Sequence, residues 1–428
     1  MKQTMRFNRR AFVRGTAGIA GGAMLAGSFR APAVIRAAQE GGTLRAYWNA
    51  GHAYDTYNAV IDQFKTDHPG WDVSLELYQW PDLRTKLLAD FAAGNPPDLV
   101  EEPGGWAQEF GLAGYLQPLD PFIAQTGQAM GFPDDWQPYT VTRQQVDGQT
   151  YGVQLHLTCN LLFYNTQMLS DAGIAAPPTT WDEFLTAAKA MTKNGVFGYA
   201  PNQDTGYMWT WFLQNGVSYY NPDTNQLGFD NQDAFDALQF VADMIQKEKV
   251  APVPVASADY EGPQKLFSAG RAAMILTGPW DIKPILTGTP DLPWGIAQAL
   301  TNKTQATYAA GTSMLIPKDA KQPDLAWDLM SRLTALDVEI AATQEANMTM
   351  PRISWGADPT IQQMERIAPF GTGLGYAQDV NAQIRLTGKF GQIDPLLKKA
   401  IEDVIYKGTA ASEALKSFND EGNSILNS

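Results

Sequence analysis

The sequence predicts an α/β protein of two lobes, each a mainly parallel sheet flanked by helices. Strand and helix patterns alternate with short connections, which implies parallel pairing through right-handed crossovers. The chain has 428 residues, enough for two lobes of ordinary domain size. It shows no sustained repeat and no low-complexity linker, so the lobes should be joined by several ordinary strands rather than one tether.

"TLRAYW" (43–48) reads as the first strand. "DTYNAVIDQFKTDHPG" places Tyr57, Val60, Ile61 and Phe64 at helical spacing, with Asp55 as N-cap and a Pro-Gly stop. "WDVSLELY" alternates Val73, Leu75 and Leu77 inward as a second strand. "PDLRTKLLADFAAGNPP" is amphipathic through Leu83, Leu87, Leu88 and Phe91, with Gly94 as C-cap, and "DLVEE" is a third strand. Ligands bind beyond the carboxyl ends of such strands. Further on, "PPTTWDEFLTAAKAMTKNG" carries a capping box, Thr180 with Glu183 three residues later. "NPDTNQLGF" predicts a hairpin, "NQDAFDALQFVADMIQKEK" a helix with Phe235, Leu238, Ala242 and Ile245 inward, and "QPDLAWDLMSRLTALDVEIAATQ" one long helix.

The first 38 residues are read as a leader rather than as fold. "NRRAFVRG" is a twin-arginine pattern, followed by a Gly/Ala-rich run too short and too weakly apolar to span a bilayer. Cleavage falls after Ala33 or near Ala38, with the later site favoured, and the expected route is twin-arginine export to the periplasm. No cysteine ends the apolar run, so no membrane anchor is expected. Formal charge is −14 for the whole chain, and becomes −21 once the leader's seven basic residues, unaccompanied by any acid, are removed. Such a surface repels nucleic acid and anionic lipid. Cys159, the one cysteine, reads as a small buried hydrophobe.

No Gly-x-Ser-x-Gly, His-Glu-x-x-His, P-loop or Cys/His cluster is present, so neither enzyme chemistry nor a metal or other cofactor is expected. "GTGLGYA" (371–377) lacks the preceding strand of a dinucleotide turn and reads as a mobile loop. The acids at 230, 233 and 236 lack the pattern of a calcium loop. Glu101 and Glu102 would suit a glycosidase only if they converged, and neighbours on a strand face opposite ways. What the chain does offer is aromatic residues where strands should end: Trp48, Trp106, the "GYMWTW" run, and Trp280 behind "AAMILTGP". Sugars suit that lining, because a C–H-rich ring face stacks on an aromatic while edge hydroxyls need carboxylates and amides.

Seven segments in order carry a family resemblance: "FKTDHPGWDV", "KLLADFAAGNPPDLV", "GLAGYLQPLD", "DGQTYGVQ", "LLFYNTQMLSDAGIAAPPTTWDEF", "FSAGRAAMILTGPW" and "AAGTSMLIPKDAKQPDLAWDLM". The chain resembles the extracellular solute-binding proteins of family 1, the sugar-binding receptors of ABC importers. The resemblance implies a type II-like periplasmic binding fold with lobes at 39–153 plus 306–350 and at 154–305 plus 351–428. It implies hinge closure on a carbohydrate in a cleft between the lobes, delivery to the importer's permease subunits, and a monomer. Matched position by position, it places ligand contacts at Asn49, His52, Glu102, Trp106, Thr158, Asp204, Tyr207, Trp209, Trp280, Gly311 and Arg352. Trp48 lies behind the first of these, and one of Trp209 and Trp211 goes to the core. Gly311 would admit ligand against backbone. Arg352 keeps open an anionic or non-sugar ligand such as a glycerophosphate, a sulfonated sugar or a polyol. A secreted glycan-processing enzyme is the remaining alternative.

Overall fold

The computed structural model describes residues 41–428 apart from 203 and 256–260; the expected leader lies outside the described residues. Strand β1 (Gly42–Asn49) leads through helix α1 (Asp55–Asp67) to β2 (Trp71–Tyr78), then through α2 (Trp80–Ala93) to β3 (Leu99–Glu102). β1 pairs in parallel with both β2 and β3, as the tight alternation requires. α3 (Trp106–Leu112) follows, and then β4 (Gly152–Cys159) and β5 (Leu161–Asn165). Helices α4 (Trp181–Met191), α5 (Thr205–Gln214), α6 (Gln232–Gln246) and α7 (Gly262–Ser268) lead to β6 (Met274–Thr277) and β7 (Trp294–Ala297). The long β8 (Thr307–Leu315) lies antiparallel to β3 and β4, and parallel at its start to β9 (Ala377–Gln378). Between β8 and β9 come α8 (Pro323–Leu333), α9 (Leu336–Ala346) and α10 (Ala368–Leu374). After β9 come α11 (Ala382–Arg385), α12 (Phe390–Lys407) and α13 (Ala411–Leu426).

The first sheet therefore runs β9-β8-β3-β1-β2, with β4 on β8, and the second is β6-β5-β7. That second sheet departs from the parallel expectation, since β6 and β7 are both antiparallel to β5. The chain enters this sheet on β5 directly from the first sheet and turns back towards it after β7, so these two strands run oppositely. The passage out of the first sheet falls at Asn160, beyond the expected residue 153, because all of β4 stays paired to β8.

Period-2 alternation decides how the second sheet is buried. Leu161 and Phe163 face one core cluster with Ile275, while Leu162 faces another with Met274 and Leu276. Both faces are covered, so the strand reads as a continuous apolar run. Leu77 on β2, expected inside, is 48% exposed, and Leu88 on α2 is exposed as well. Thr180 is the N-cap as expected, accepting the Glu183 N–H at 3.2 Å, but the Glu183 carboxylate reaches back to the Thr179 N–H at 2.8 Å and not to that of Thr180, so the box is completed one residue early. The hairpin holds, Tyr220–Asn221 with Gln226–Leu227.

Three local expectations are corrected. Asp55 is not the N-cap of α1: it is the first helical residue, and Glu345 of α9 caps the helix by accepting the N–H groups of Asp55 and Thr56, each at 2.9 Å. The long helix from 323 breaks into α8 and α9 at Thr334–Ala335, where Ala335 is extended and Arg352 Nε donates to the Thr334 carbonyl at 2.8 Å. "GTGLGYA" is no loop but the end of α10 and the start of β9; a Cβ on Gly373 would lie 3.0 Å from Cys159 Sγ, so glycine lets α10 sit on β4. Cys159 itself is buried, as read.

Candidate functional site

β1 and β3 are parallel neighbours, so their carboxyl ends open on one side, and the side chains that matter lie there. Glu101 and Glu102 are both fully buried. As neighbours on a strand they face oppositely and build two different environments.

Glu102 Oε2 accepts the N–H groups of Gly104, Gly105 and Trp106 at 2.7, 2.7 and 2.9 Å, a nest at the start of α3. Gly104 turns the chain at φ +86°, and a Cβ there would lie 2.7 Å from the Gly311 carbonyl oxygen. Arg143 Nη2 donates to the Gly104 carbonyl at 2.7 Å, and its Nε lies 2.9 Å from Asp379 Oδ2. Arg385 approaches the same aspartate at 3.8 Å and lies directly over Gly105, where a Cβ would come within 2.4 Å of Cζ. Beyond them Asn381 Nδ2 donates to the Tyr308 hydroxyl at 3.3 Å, and Tyr308 packs on Gly206 at the start of α5. Thus residues 102–106, 143, 204–206, 308 and 379–385 meet at one place, although they are scattered over the sequence.

Several polar atoms here are buried yet lack a hydrogen-bond partner among the described residues: Glu102 Oε1, Tyr139 OH, Arg143 Nη1, Asn381 Oδ1 and Arg385 Nη1. Each such group costs about 1–3 kcal/mol if left unmade. The set mixes donors, acceptors and a hydroxyl that does both. Burial raises the Glu102 carboxyl, opposed by its backbone N–H donors and by the two arginines. Burial works against charge on Arg143, and Asp379 chiefly offsets it, so the guanidinium ends above its ordinary value. Asp204, which caps α5 by accepting the Gly206 N–H at 2.8 Å, has its carboxyl raised by the surrounding protein. Asp394 on α12 is pushed up to about 6 by burial and by the like charge of Asp204.

The other environment is built on Glu101. It bonds the Asn49 N–H at 2.9 Å and His52 Nδ1 at 2.6 Å. His156 lies with its ring centroid 4.7 Å from that of His52. The ligand-type atoms of His52, Glu101 and His156 fall within 4.8 Å of one another, but His156 already bonds Tyr57 OH and Thr312 Oγ1, each at 2.8 Å. The trio is a hydrogen-bond network rather than a ready metal cage. Burial keeps His156 neutral, its pKa well below the usual value.

Trp280 sits in a single turn, Pro279–Asp281, after β6. Its half-buried ring folds back over Gly278, where a Cβ would lie 2.1 Å from Cζ3. The glycine is required by the ring, and the ring packs against the larger core while keeping part of its surface open.

Of the expected contacts, Glu102 falls in the polar cluster and Asp204 joins it through Tyr308, while Thr158 is buried on β4 opposite Ala310 of β8. Trp106 reaches Glu102 only through its backbone N–H, its ring packing against Phe110 and under Arg84 in a separate hydrophobic cluster, and His52 is presented on Glu101. Asn49 is buried with its side chain capping the turn at Gly51; Trp48 lies behind, as expected, bonded to the His52 carbonyl at 3.0 Å. Tyr207 is buried in α5. Three placements are corrected. Trp209 and Trp211 are both core residues at 1% exposure, because α5 is enclosed by Tyr199, Tyr219, Phe229 and Phe240. Gly311 does not open the backbone to a ligand on its side-chain side: a Cβ would lie 2.0 Å from the His156 carbonyl oxygen. Arg352 is 7% exposed and spends its donors on Thr334, Asp135 and Met130, so it offers no grip for an anion. Sequence reading missed Arg143, Tyr139, Tyr308, Asp379, Asn381, Arg385 and Asp394. The one available signal was "DVNAQIR", polar residues directly after the glycine-rich stretch.

A family model described as bacterial extracellular solute-binding protein matches residues 50–336. A binding protein of Brucella abortus is 27% identical over 300 residues, covering 67% of this chain and 70% of the relative. The maltotriose-binding protein of Pyrococcus abyssi is 24% identical over 365 residues, covering 78% and 76%. Among solved structures, the GacH receptor of Streptomyces glaucescens, described in complex with acarbose, superposes with a TM-score of 0.81 at 21% identity, over 91% of this chain and 99% of that one. This two-lobed fold is the one the sequence predicts.

Proposed function

Because the chain belongs to the family of bacterial extracellular solute-binding proteins, we propose that it captures a carbohydrate in the cleft at Glu102, Arg143 and Asp379 and hands it to an ABC importer. The observation that carries this reading is the mixed set of buried donors and acceptors without hydrogen-bond partners among the described residues. A sugar hydroxyl both donates and accepts, so adjacent hydroxyls satisfy such a set, whereas an anionic group would want donors alone. Trp280 supplies an apolar face for a ring, worth about 0.5–1.5 kcal/mol beyond area burial. The maltotriose and acarbose in the names of its relatives agree in chemistry.

In this reading the two rigid halves are 39–159 with 306–350 and 160–305 with 351–428, the first boundary lying at Asn160 because all of β4 pairs with β8. They close about their connecting strands, and closure presents a surface to the permease subunits. The protein binds without turnover, as a monomer. It works in the periplasm after twin-arginine export; replacing Arg9 and Arg10 by Lys should leave uncleaved precursor inside the cell. No helix among the described residues is long and apolar enough to cross a membrane.

The test is intrinsic tryptophan fluorescence of the purified mature protein titrated with mono-, di- and oligosaccharides, polyols and glycerophosphates. A saturable change with one sugar class, weakened in Glu102→Gln and lost in Trp280→Ala, is expected. Silence across the sugars, confirmed by calorimetry, or a response to glycerophosphates alone, would overturn the carbohydrate assignment.

A further inference from the structure

Beside the polar cluster lies an apolar groove that the cleft chemistry does not use. Its volume is about 290 Å³, and its walls are Pro201, Pro252, Val253, Pro254, Pro263 and Leu266. Val253 and Val255 on its rim are 57% and 63% exposed, the two most exposed large apolar residues described. Pro252 and Pro254 flank Val253, fix φ and carry no N–H, so this stretch cannot join a sheet that would cover its valines. Exposed apolar surface beside a concavity marks a binding site more often than chance.

The groove adjoins the residues that lead to the cleft. Asn202 lines the groove, and the same side chain accepts the Asp204 N–H at 3.0 Å. From Asp204 the α5 N-terminus runs to Gly206 against Tyr308, and Tyr308 bonds Asn381 beside the arginine pair. On the other side α7, which carries Pro263 and Leu266, packs on β6 and on the helix that follows Trp280.

We propose that this groove is a subsite of the same cleft that takes an apolar substituent, an aryl or alkyl aglycone, of a bound glycoside. The proposal rests on the carbohydrate reading above. A cavity of about 150 Å³ holds benzene, so the groove has room for one ring and its linkage. Polar sugar in the cleft and an apolar tail beyond Asn202 would use both surfaces at once.

Calorimetry decides it, with glucose, galactose and maltose, their methyl glycosides, and their 4-nitrophenyl and octyl glycosides. For whichever sugar binds, the 4-nitrophenyl or octyl glycoside should bind at least about tenfold more tightly than the methyl glycoside, or about 1.4 kcal/mol. The gain should fall below about threefold in Val253→Ser/Val255→Ser, a pair of surface changes, with the methyl glycoside unaffected. Equal affinity of methyl and aryl or alkyl glycosides would overturn the proposal. So would a gain that survives the double variant, which would assign it to stacking on Trp280. If no sugar or glycoside binds at all, the carbohydrate reading itself has failed.

Discussion

Arg352 and Asp281 show how far one side chain's surroundings decide its role. Arg352 donates to Thr334, Asp135 and Met130 at 2.7–2.8 Å and stacks 4.1 Å over Trp136. A lysine is a single ammonium and cannot make three divergent bonds. Arg352→Lys should therefore lower the unfolding free energy by about 3 kcal/mol, as for other broken buried pairs, read by urea denaturation. Sugar affinity of the folded protein should not change; lost affinity at unchanged stability would put Arg352 on the ligand after all. Asp281 behaves oppositely. Its carboxyl is raised to about 7 chiefly by burial, although it accepts the Thr277 hydroxyl at 2.6 Å. The folded state thus keeps a proton between roughly pH 4 and 7 that the unfolded chain has lost. Bound protons in the native state exceed those in the unfolded state, so this residue makes stability fall as pH rises through that window. Asp281→Asn should flatten the fall and raise the urea midpoint at pH 8 relative to pH 5. An unchanged pH profile would show that the native carboxyl titrates normally.

At the level of elements, the fold was legible wherever a segment's pattern is satisfied by its own neighbours, and illegible where the partner is distant. The alternation of α1, α2 and their strands, the Thr180 cap and the Gly94 C-cap are local and emerged as read. The capping of α1 is not local, because Glu345 lies 290 residues from Asp55. Two N–H groups at a helix N-terminus held by one carboxylate predict that Glu345→Ala destabilises by about 1–2 kcal/mol. Glu345→Gln, which keeps one acceptor, should cost less; equal losses would show that side-chain packing, not capping, is what was removed. The break between α8 and α9 was hidden for the same reason, since Arg352 takes the Thr334 carbonyl from outside both helices. The cleft divides likewise. The proposed contacts at Glu102, Thr158, Asp204 and Trp280 came from matching the family's segments position by position. Arg143, Asp379 and Arg385 take their meaning only from one another, and Asp379 stands over 200 residues from Arg143. Trp209 was misjudged because an aromatic near a strand end looks the same in sequence whether a helix buries it or a cleft exposes it.

Across the whole molecule, Asp379 links the N-terminal segment at Arg143 and Gly104 to the C-terminal segment at Arg385, all within a few per cent of full burial. Two guanidiniums facing one carboxylate are balanced only while these segments stay together, with Glu102 as the second nearby anion. Removing the shared carboxylate in Asp379→Asn leaves two buried cations against Glu102 alone, a cost of several kcal/mol that separation of the segments relieves by readmitting water. Of residues 379–385 only Ile384 belongs to a buried hydrophobic cluster, with Val380 packed against it, and the side chain of Asp379 is not part of that packing, so the fold itself should persist. The equilibrium between closed and open forms should therefore move towards open, and a ligand must first work against that shift. Asp379→Asn is expected to weaken sugar binding by at least about tenfold, or 1.4 kcal/mol, while the far-ultraviolet circular dichroism is retained. Small-angle scattering of the variant with saturating sugar should show a smaller radius of gyration than without it, and the sugar-free variant a larger one than the sugar-free native protein. If the variant unfolds instead, the Arg143–Asp379–Arg385 group is part of the fold's framework. If its radius and affinity match the native values, the group does not govern closure, and the unpartnered atom at Glu102 is left to account for binding alone.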